Sequence, residues 1–467
     1  MDLLPDDLLA DVLCRLPPRS LAALRRVCQA WRAIVDDRSL LAAAALLPCT
    51  LRGIFVQIGV PTLSGFFARP SPAGRRPAIP GALDLDYLDT HDECLLTIID
   101  HCNGLLLLHH HVVNPATRQW TRLPPYPPPE SPASGIMLDG YHALVFDPAV
   151  SPHYEVFLMP QILKPAATAL LPAAAVSGQW PPSPLLLHVF SSRTEGTWRW
   201  EERSFVREGN ATMGTIDDVC SSLGWEPWDS YSVYLRGALY MHCQNNCVIK
   251  LAITNHKYRI IKLPGDFVGN MNTVDPYLGK SQEGVYYALV IGLRRLQIWY
   301  LKEYLSSSSS SSSSNSYGGL EAMDDEYEWE LKHDADLGPV LAAGYTLNDG
   351  GQQWIWHNID TRRKNNKESL ANEEEFEWYG GDDDSDENAS TGEDRQYKGY
   401  ISQVFGFHPF KPIVFLCDTD TRVVAYHYNR SKVQDLGVII QVPGDDRLSR
   451  SFPYTPCWIQ DLPGIHN

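Results

Sequence analysis

Residues 104–124, GLLLLHHHVVNPATRQWTRLP, indicate the fold class of this chain of 467 residues. Short apolar runs alternate here with turn residues such as Asn114 and Pro115, and apolar runs of this length bounded by turn residues are typical of β-strands. The same pattern continues toward the carboxyl terminus, in YHALVFDPAVSPHYEVFLM (141–159), GVYYALVIGLRRLQIWYLKEY (284–304) and FGFHPFKPIVFLCD (405–418). Most of the chain is therefore predicted to be antiparallel β-structure.

Several of these segments share an order of elements. An apolar strand leads into a turn, at 114–117, 254–256 or 418–420, and a second strand follows. Two of the second strands end in Leu-Pro, at 123–124 and 263–264. Strand pairs repeated over more than 300 residues favour a β-propeller, in which each four-stranded blade packs only against its neighbours. A two-sheet sandwich is the alternative, although it seldom takes up so much chain.

The charge of the chain is concentrated in one segment. The formal net charge is −17, and twelve Asp and Glu lie between 368 and 394 without any Lys or Arg. The remaining sequence is nearly balanced, so the net charge does not describe a folded surface. An acidic insertion at about 362–397 is expected to be disordered, and a serine-rich insertion at about 305–319 is expected to be a flexible loop between adjacent strands.

The spacing of the cysteines and the composition of the amino terminus indicate where in the cell the protein resides. The ten cysteines are irregularly spaced, which favours reduced thiols and a cytoplasmic or nuclear protein. Acidic residues interrupt the amino terminus where a signal peptide would be apolar, and no run reaches the eighteen or so apolar residues of a membrane span. We expect neither a membrane nor a nucleic-acid partner.

The first fifty residues have a helical period. Apolar residues recur at three-to-four spacing, Pro5 suits the first position of a helix, and Pro17 ends it. A second apolar stripe follows Ser20. Two or three short helices offer more apolar surface than they can bury among themselves. The apolar surface that is left over packs either on the rest of the chain or on a partner.

Residues 4–35, LPDDLLADVLCRLPPRSLAALRRVCQAWRAIV, resemble the F-box. Two Leu-Pro pairs, an acidic residue, paired aliphatics and an Arg-x-Val-Cys-x-x-Trp-Arg segment follow in the order of that family. The resemblance implies a three-helix module over 1–48 that docks on a Skp-type adaptor and, through it, on a cullin of an SCF (Skp, cullin, F-box) ubiquitin ligase. The implied docking residues are Leu4, Pro5, Leu8, Leu9, Leu16, Pro17 and Leu21. The implied packing residues are Val12, Leu13, Val27, Cys28 and Trp31.

Residues 49–467 resemble, more loosely, the F-box-associated β domain of plant F-box proteins. The segments CNGLLLL (102–108), FDPAVSPHYEVF (146–157), VFSSRTEGTWRWEE (189–202) and FHPFKPIVFL (407–416) match that type in order. The resemblance implies a propeller-like domain that captures a protein target. The expected fold is therefore multidomain and mainly β, with a small helical module before a large antiparallel domain.

Histidines and cysteines do not form a convincing metal or catalytic site. His109, His110 and His111 would point to alternate faces of a strand and cannot converge on one ion. The spacing of Cys243 and Cys247 lacks a matching second pair. The sequence also lacks a phosphate loop, a dinucleotide glycine fingerprint and a nucleophile elbow. We expect no catalytic residue, no cofactor and no metal.

The predicted function is that of a non-catalytic substrate-recognition subunit of an SCF-type ubiquitin ligase. The target protein is unknown. The alternative is a propeller-type ligand- or sugar-binding module or enzyme, in which the amino-terminal helices only cap the β domain. A third possibility is a scaffold that binds the adaptor without delivering a substrate.

Overall fold

The computed structural model describes most of the chain beyond residue 50. The described residues are 9, 12–13, 28, 31, 34–35, 50–58, 63–71, 74–77, 97–127, 138–162, 178–193, 198–221, 231–243, 246–265, 273–281, 284–304, 327–342, 353–358, 400–419, 421–439, 448–459 and 462–463. The described part is mainly β, as predicted. Both predicted insertions and the predicted three-helix arrangement lie largely outside these residues.

Twenty-eight strands and two short helices make up the described β region. The strands are β1 (Gly53–Ile58), β2 (Leu63–Ala68), β3 (Pro70–Ser71), β4 (Gly74–Pro77), β5 (Ile98–Cys102), β6 (Leu105–Leu108), β7 (His111–Asn114), β8 (Gln119–Arg122), β9 (Leu138–Phe146), β10 (Tyr154–Ile162), β11 (Gln179–Trp180), β12 (Leu185–Ser191), β13 (Glu201–Arg207), β14 (Gly214–Thr215), β15 (Ser232–Leu235), β16 (Ala238–Cys243), β17 (Cys247–Ala252), β18 (Lys257–Lys262), β19 (Thr273–Ser281), β20 (Gly284–Ile291), β21 (Arg295–Glu303), β22 (Tyr327–Asp336), β23 (Ile355–Asn358), β24 (Ile401–Phe407), β25 (Ile413–Asp418), β26 (Arg422–His427), β27 (Lys432–Val438) and β28 (Leu448–Tyr454). The helices are α1 (Ile216–Ser221) and α2 (Gly338–Ala342).

Most strands belong to four-stranded antiparallel sheets that follow the chain. Sheet I contains β5–β8, sheet II β9, β10, β12 and β13, sheet III β15–β18, sheet IV β19–β22, and sheet V β24–β27. A parallel pairing of β13 with β18 joins sheets II and III into eight strands. The closing sheet has the order β23-β2-β1-β28 and so combines strands from both ends of the β region.

The apolar cores lie between successive sheets. Separate clusters join the closing sheet to sheet I, sheet I to II, and sheet II to III. Another cluster spans sheets III, IV and V, and a fifth joins sheet V back to the closing sheet. The series of packed sheets therefore returns to its starting point, and each sheet is covered on both faces.

Burial on both faces explains why β6 consists of four consecutive leucines. Leu106 and Leu108 pack toward the closing sheet, whereas Leu105 and Leu107 pack toward sheet II. Successive side chains of a strand point to opposite faces, so a strand between two cores needs apolar residues at every position. The leucine run is thus a central strand rather than part of a helix.

Four sheets close their outer edge in the same way. The residue after the fourth strand is a buried aliphatic, and its N–H donates to the carbonyl of the residue before the third strand. The pairs are Leu123 to His110, Leu263 to Asn246, Leu337 to Arg294 and Ile439 to Thr421, with distances of 2.8–2.9 Å. The two predicted Leu-Pro positions belong to this repeat, whereas the other two members lack the proline and escape detection in the sequence.

The turns chosen from the sequence are only partly equivalent. Arg118 and His256 both have a left-handed backbone conformation and directly precede the fourth strand of sheets I and III. The equivalent residue in sheet V is Ser431, before β27. The turn at 418–420 instead joins the second and third strands of sheet V. It therefore resembles the other two turns in sequence but occupies a different position in its sheet.

The flanks of the serine-rich segment are adjacent strands. β21 ends at Glu303 and β22 begins at Tyr327, and these two residues are paired in an antiparallel register. The segment between them therefore connects neighbouring strands of sheet IV, as the sequence analysis predicts. The flexibility of the segment stays a prediction, because it lies outside the described residues.

Candidate functional site

The amino-terminal segment is described only at scattered positions. Leu13 is buried, whereas Val12 is 52% exposed and Cys28 is also exposed. The sequence analysis assigns Val12 and Cys28 to internal packing, and the structure places both at the surface. Leu9 and Trp31 are half-buried.

The remaining predicted residues of this segment lie outside the described part of the chain. They are Leu4, Pro5, Leu8, Leu16, Pro17, Leu21 and Val27. Their docking and packing roles stay predictions.

A cleft opens where the first strands of several sheets converge. Residues of β5, β15, β19 and β28 line it together with the end of β24 and the turn that follows, and its volume is about 160 Å³. These strands belong to sheets I, III and IV, the closing sheet and sheet V. We call this depression the first-strand cleft. Loops and strand ends that meet from several elements commonly form binding sites on a stiff scaffold.

Asp100 anchors the inner wall of the first-strand cleft. The hydroxyl of Ser232 donates to Asp100 Oδ2 at 2.5 Å, and the backbone N–H of Leu144 donates to the same oxygen at 2.8 Å. Burial raises the pKa of the Asp100 carboxyl to about 6, although these hydrogen bonds and the charge of Arg450 act in the opposite direction. Asp100 thus ties together the first strands of sheets I, II and III.

Arg450 joins the closing sheet to the same wall. Its Nη1 donates to the carbonyl oxygen of Ile99 at 2.7 Å, and its guanidinium lies over the rings of Tyr231 and Phe452, 5.3 and 5.1 Å from their centroids. Such stacking stabilises a partly desolvated cation. The positive charge of Arg450 also offsets the negative charge of Asp100 within the wall.

Lys280 supplies the cationic side chain that lines the cleft. Its Nζ donates to Asn103 Oδ1 at 3.2 Å, and the amide of Asn103 in turn donates to the carbonyl oxygen of Phe146 at 2.7 Å. Lys280 is therefore held by a neutral amide. Burial and the charges of Lys280 and Arg450 lower the pKa of His101 to about 4, so this histidine is neutral at physiological pH.

Several apolar side chains also line the cleft. Tyr277, Phe407, Pro409, Phe410 and Pro453 contribute to its lining, and Phe410 is 37% exposed. A cleft lined by both an exposed aromatic ring and a cation can bind an apolar group carrying a negative charge.

Histidines and cysteines elsewhere are structural in character. His111 and His242 are buried, and burial lowers their pKa values to about 4 and about 3. Cys243 and Cys247 stand opposite each other across the β16–β17 hairpin as free thiols. Burial raises their pKa values to about 12 and about 11, so both stay protonated at neutral pH. Among the described residues, no group of three His, Cys, Asp or Glu is placed to hold a metal ion.

The residues of the cleft were not identified from the sequence. Asp100 is a charged residue within the apolar strand IIDHC, and that contrast is a local signal that a carboxyl group is buried. Lys280 and Ser232 carry no such signal. Their positions in the cleft depend on contacts between strands that are far apart in the chain.

Comparison with known proteins addresses the amino-terminal segment directly. Residues 1–42 match the F-box domain. One F-box protein of Arabidopsis thaliana is 25% identical over 358 residues, which cover 72% of this chain and 71% of the relative. The chain therefore carries an F-box at its amino terminus.

Two further relatives come from the same plant. An F-box protein of A. thaliana is 20% identical over 385 residues, covering 77% of this chain and 78% of its own. A protein named as an F-box/kelch-repeat protein is 28% identical over 213 residues, covering 42% of this chain and 45% of its own. This F-box protein is therefore similar to plant F-box proteins well beyond the F-box itself.

The first-strand cleft of this F-box protein lies outside the F-box. The family match ends at residue 42, whereas all the residues that line the cleft lie between 100 and 455. Neither helix in the described part of the chain has the length and apolar content needed to cross a bilayer.

Proposed function

We propose that this F-box protein is the substrate-recognition subunit of an SCF-type ubiquitin ligase. The F-box would dock on a Skp-type adaptor through Leu4, Pro5, Leu8, Leu9, Leu16, Pro17 and Leu21, and the β region would hold a target protein. The observation that carries the proposal is the F-box match at residues 1–42. The F-box is followed in the same chain by a large region of β-sheets that lies outside the match.

We also propose that the six four-stranded sheets are the blades of a β-propeller. Three observations support this arrangement: each sheet follows the chain, successive sheets share apolar cores, and both ends of the β region meet in the closing sheet. Pairing the first and last strands in one sheet closes a ring and protects a propeller from opening. In such a ring the first strands face the axis, where the first-strand cleft would then lie.

The chain itself would carry out no chemical step in this role. The buried thiols of Cys102, Cys243 and Cys457 have pKa values raised to about 12 by burial, so each is a poor nucleophile at neutral pH. Rate enhancement would come from proximity. Holding a target beside a ubiquitin thioester makes an encounter in solution nearly intramolecular and raises the effective concentration of the target lysines.

Adaptor binding tests the F-box half of the proposal. The double substitution Leu8→Asp, Leu9→Asp introduces two charges where the docking surface should be apolar, and recovery of the adaptor with the full chain should fall by at least about tenfold. Lys257→Asp, Lys262→Asp on β18, outside the F-box, is the control with two new aspartates. Equal adaptor recovery by both variants, with unchanged unfolding midpoints, would contradict the docking assignment.

Ubiquitination by the assembled complex tests the other half. Proteins that co-purify with the β region should receive ubiquitin only when the F-box is intact. A scaffold that delivers no substrate would leave them unmodified. A ligand-binding module or enzyme capped by its own helices would show no adaptor in the complex, and deletion of residues 1–48 would lower the unfolding midpoint of the β region.

A further inference from the structure

We propose that the first-strand cleft binds an acidic, linear segment of the captured protein, with a carboxylate on Lys280 and a neighbouring apolar side chain against Phe410. This inference rests on the proposed role of the β region in holding a target. It adds the chemical class of the segment that is recognised.

The charges around the cleft favour an incoming anion. Asp100 accepts hydrogen bonds from Ser232 and Leu144, and its charge faces that of Arg450. Lys280 is held by the neutral oxygen of Asn103, and it makes no ion pair within the part of the chain that the structure describes. Among Asp100, Arg450 and Lys280, the two charges of Asp100 and Arg450 offset each other, and Lys280 supplies a positive charge on an amino group that still has donor capacity.

Two other basic residues of the described strands show the contrast. Arg203 pairs with Glu155, and Lys257 pairs with Glu208, at 2.8 and 3.0 Å. These cations have carboxylate partners within the chain. Lys280 has an amide instead, which leaves its charge available for a carboxylate from outside.

The size of the cleft limits what it can hold. Its volume of about 160 Å³ is close to the roughly 150 Å³ of a cavity that holds benzene. It falls below the roughly 300–1,000 Å³ typical of sites for drug-sized ligands. A volume of this size holds one aromatic or branched side chain, and the remaining contacts would have to come from a chain that continues beyond the cleft.

The mouth of the cleft suits an extended chain. Phe410 is 37% exposed, and Pro409 lies beside it in the turn after β24. A free small acid would use the pocket alone, whereas a peptide would also cover this exposed apolar rim. The affinity gained from the rim is the physical reason to favour a peptide.

The probe is an immobilised library of random octapeptides, offered to the full chain. Peptides retained by the native protein should be enriched in Asp or Glu within two positions of an aromatic or branched apolar residue. The affinity of a selected peptide, followed by fluorescence anisotropy, should fall by at least about tenfold when its acidic residue is replaced by the matching amide.

Two variants assign the effect to the cleft. Lys280→Glu should lose binding by at least about tenfold, whereas Lys257→Glu, the same charge change on β18 at a residue that does not line the cleft, should bind as the native protein does. Phe410→Ala should also weaken binding, and its exposed position makes it the second test if Lys280→Glu has a lowered unfolding midpoint. Equal binding by Lys280→Glu and Lys257→Glu, both folded, would overturn the inference.

Two further outcomes would also overturn it. Selected peptides without acidic residues would exclude a carboxylate from recognition, and phenylacetate that binds as tightly as the selected peptides would assign the cleft to a small free acid. Adaptor recovery distinguishes this inference from the proposed function. If Lys280→Glu retains the adaptor and still supports target ubiquitination, the peptide assignment fails while the ligase role stands.

Discussion

The carboxylate of Asp100 accepts a hydrogen bond of 2.5 Å from the hydroxyl of Ser232, 132 positions later in the chain. The same carboxylate oxygen accepts the N–H of Leu144, so one buried side chain links three sheets. Asp100 lies within an otherwise apolar strand, and burying its charge there costs free energy of folding. The hydrogen bonds that link the three sheets offset part of that cost.

Asp100→Asn should change how stability depends on pH. Burial raises the pKa of Asp100 to about 6, so the folded state binds its proton more tightly than the unfolded state does. Its contribution to stability is present below pH 4 and is lost as pH rises to about 6, a difference of up to about 3 kcal/mol. The asparagine oxygen can accept the same two hydrogen bonds without titrating. Urea unfolding at pH 4 and 7 should show the variant gaining relative to the native protein at the higher pH; a constant difference would contradict this.

His242→Gln should have the opposite pH dependence. Burial lowers the pKa of His242 to about 3, so the folded state excludes the proton that the unfolded state accepts near pH 6.5. The native protein therefore loses stability from this group as pH falls below 6.5, by about 2 kcal/mol at pH 5. The variant lacks that loss, and the gap in unfolding free energy between the two proteins should narrow from pH 7 to 5. A gap that widens would mean that His242 is protonated in the fold.

Gly104→Ala should destabilise the protein more than Gly237→Ala. Both glycines end two-residue hairpin turns, with φ of +87° and +80°, so alanine adds backbone strain of about 1 kcal/mol at each. A Cβ at Gly104 would lie 2.5 Å from the backbone nitrogen of Cys457, whereas nothing described lies within 4 Å of one at Gly237. The additional overlap should cost about 2 kcal/mol more. Chemical denaturation of the two variants measures the difference, and equal losses would show that the contact with Cys457 relaxes freely.

Val12→Asp and Leu13→Ala should separate binding from folding in the F-box. Val12 is exposed, so a charge there should leave the unfolding midpoint unchanged while it lowers adaptor recovery if the apolar surface is a docking face. Leu13 is buried, and its truncation should cost about 3 kcal/mol. Adaptor pull-down and thermal unfolding of both variants test this. Full adaptor recovery by Val12→Asp would exclude Val12 from the docking surface.

The repeat in the β region was only partly predictable. The Leu-Pro ends at 123–124 and 263–264 mark a real structural position, because Leu123 and Leu263 close their sheets in the same way. Leu337 and Ile439 occupy the same position without the proline. The hydrogen bond that defines the position uses the backbone, which any residue can supply, so the sequence pattern is weaker than the structural one.

The sequence by itself determined the F-box landmarks, the mainly β composition and the two low-complexity insertions. Each is written in neighbouring residues, as the apolar runs between turns show at 104–124. Only the tertiary structure decided that β1 and β28 share a sheet, that Asp100 meets Ser232, and that Lys280 lies in the same cleft. Those contacts join residues separated by tens to hundreds of positions, and the packing of successive sheets against one another brings them together.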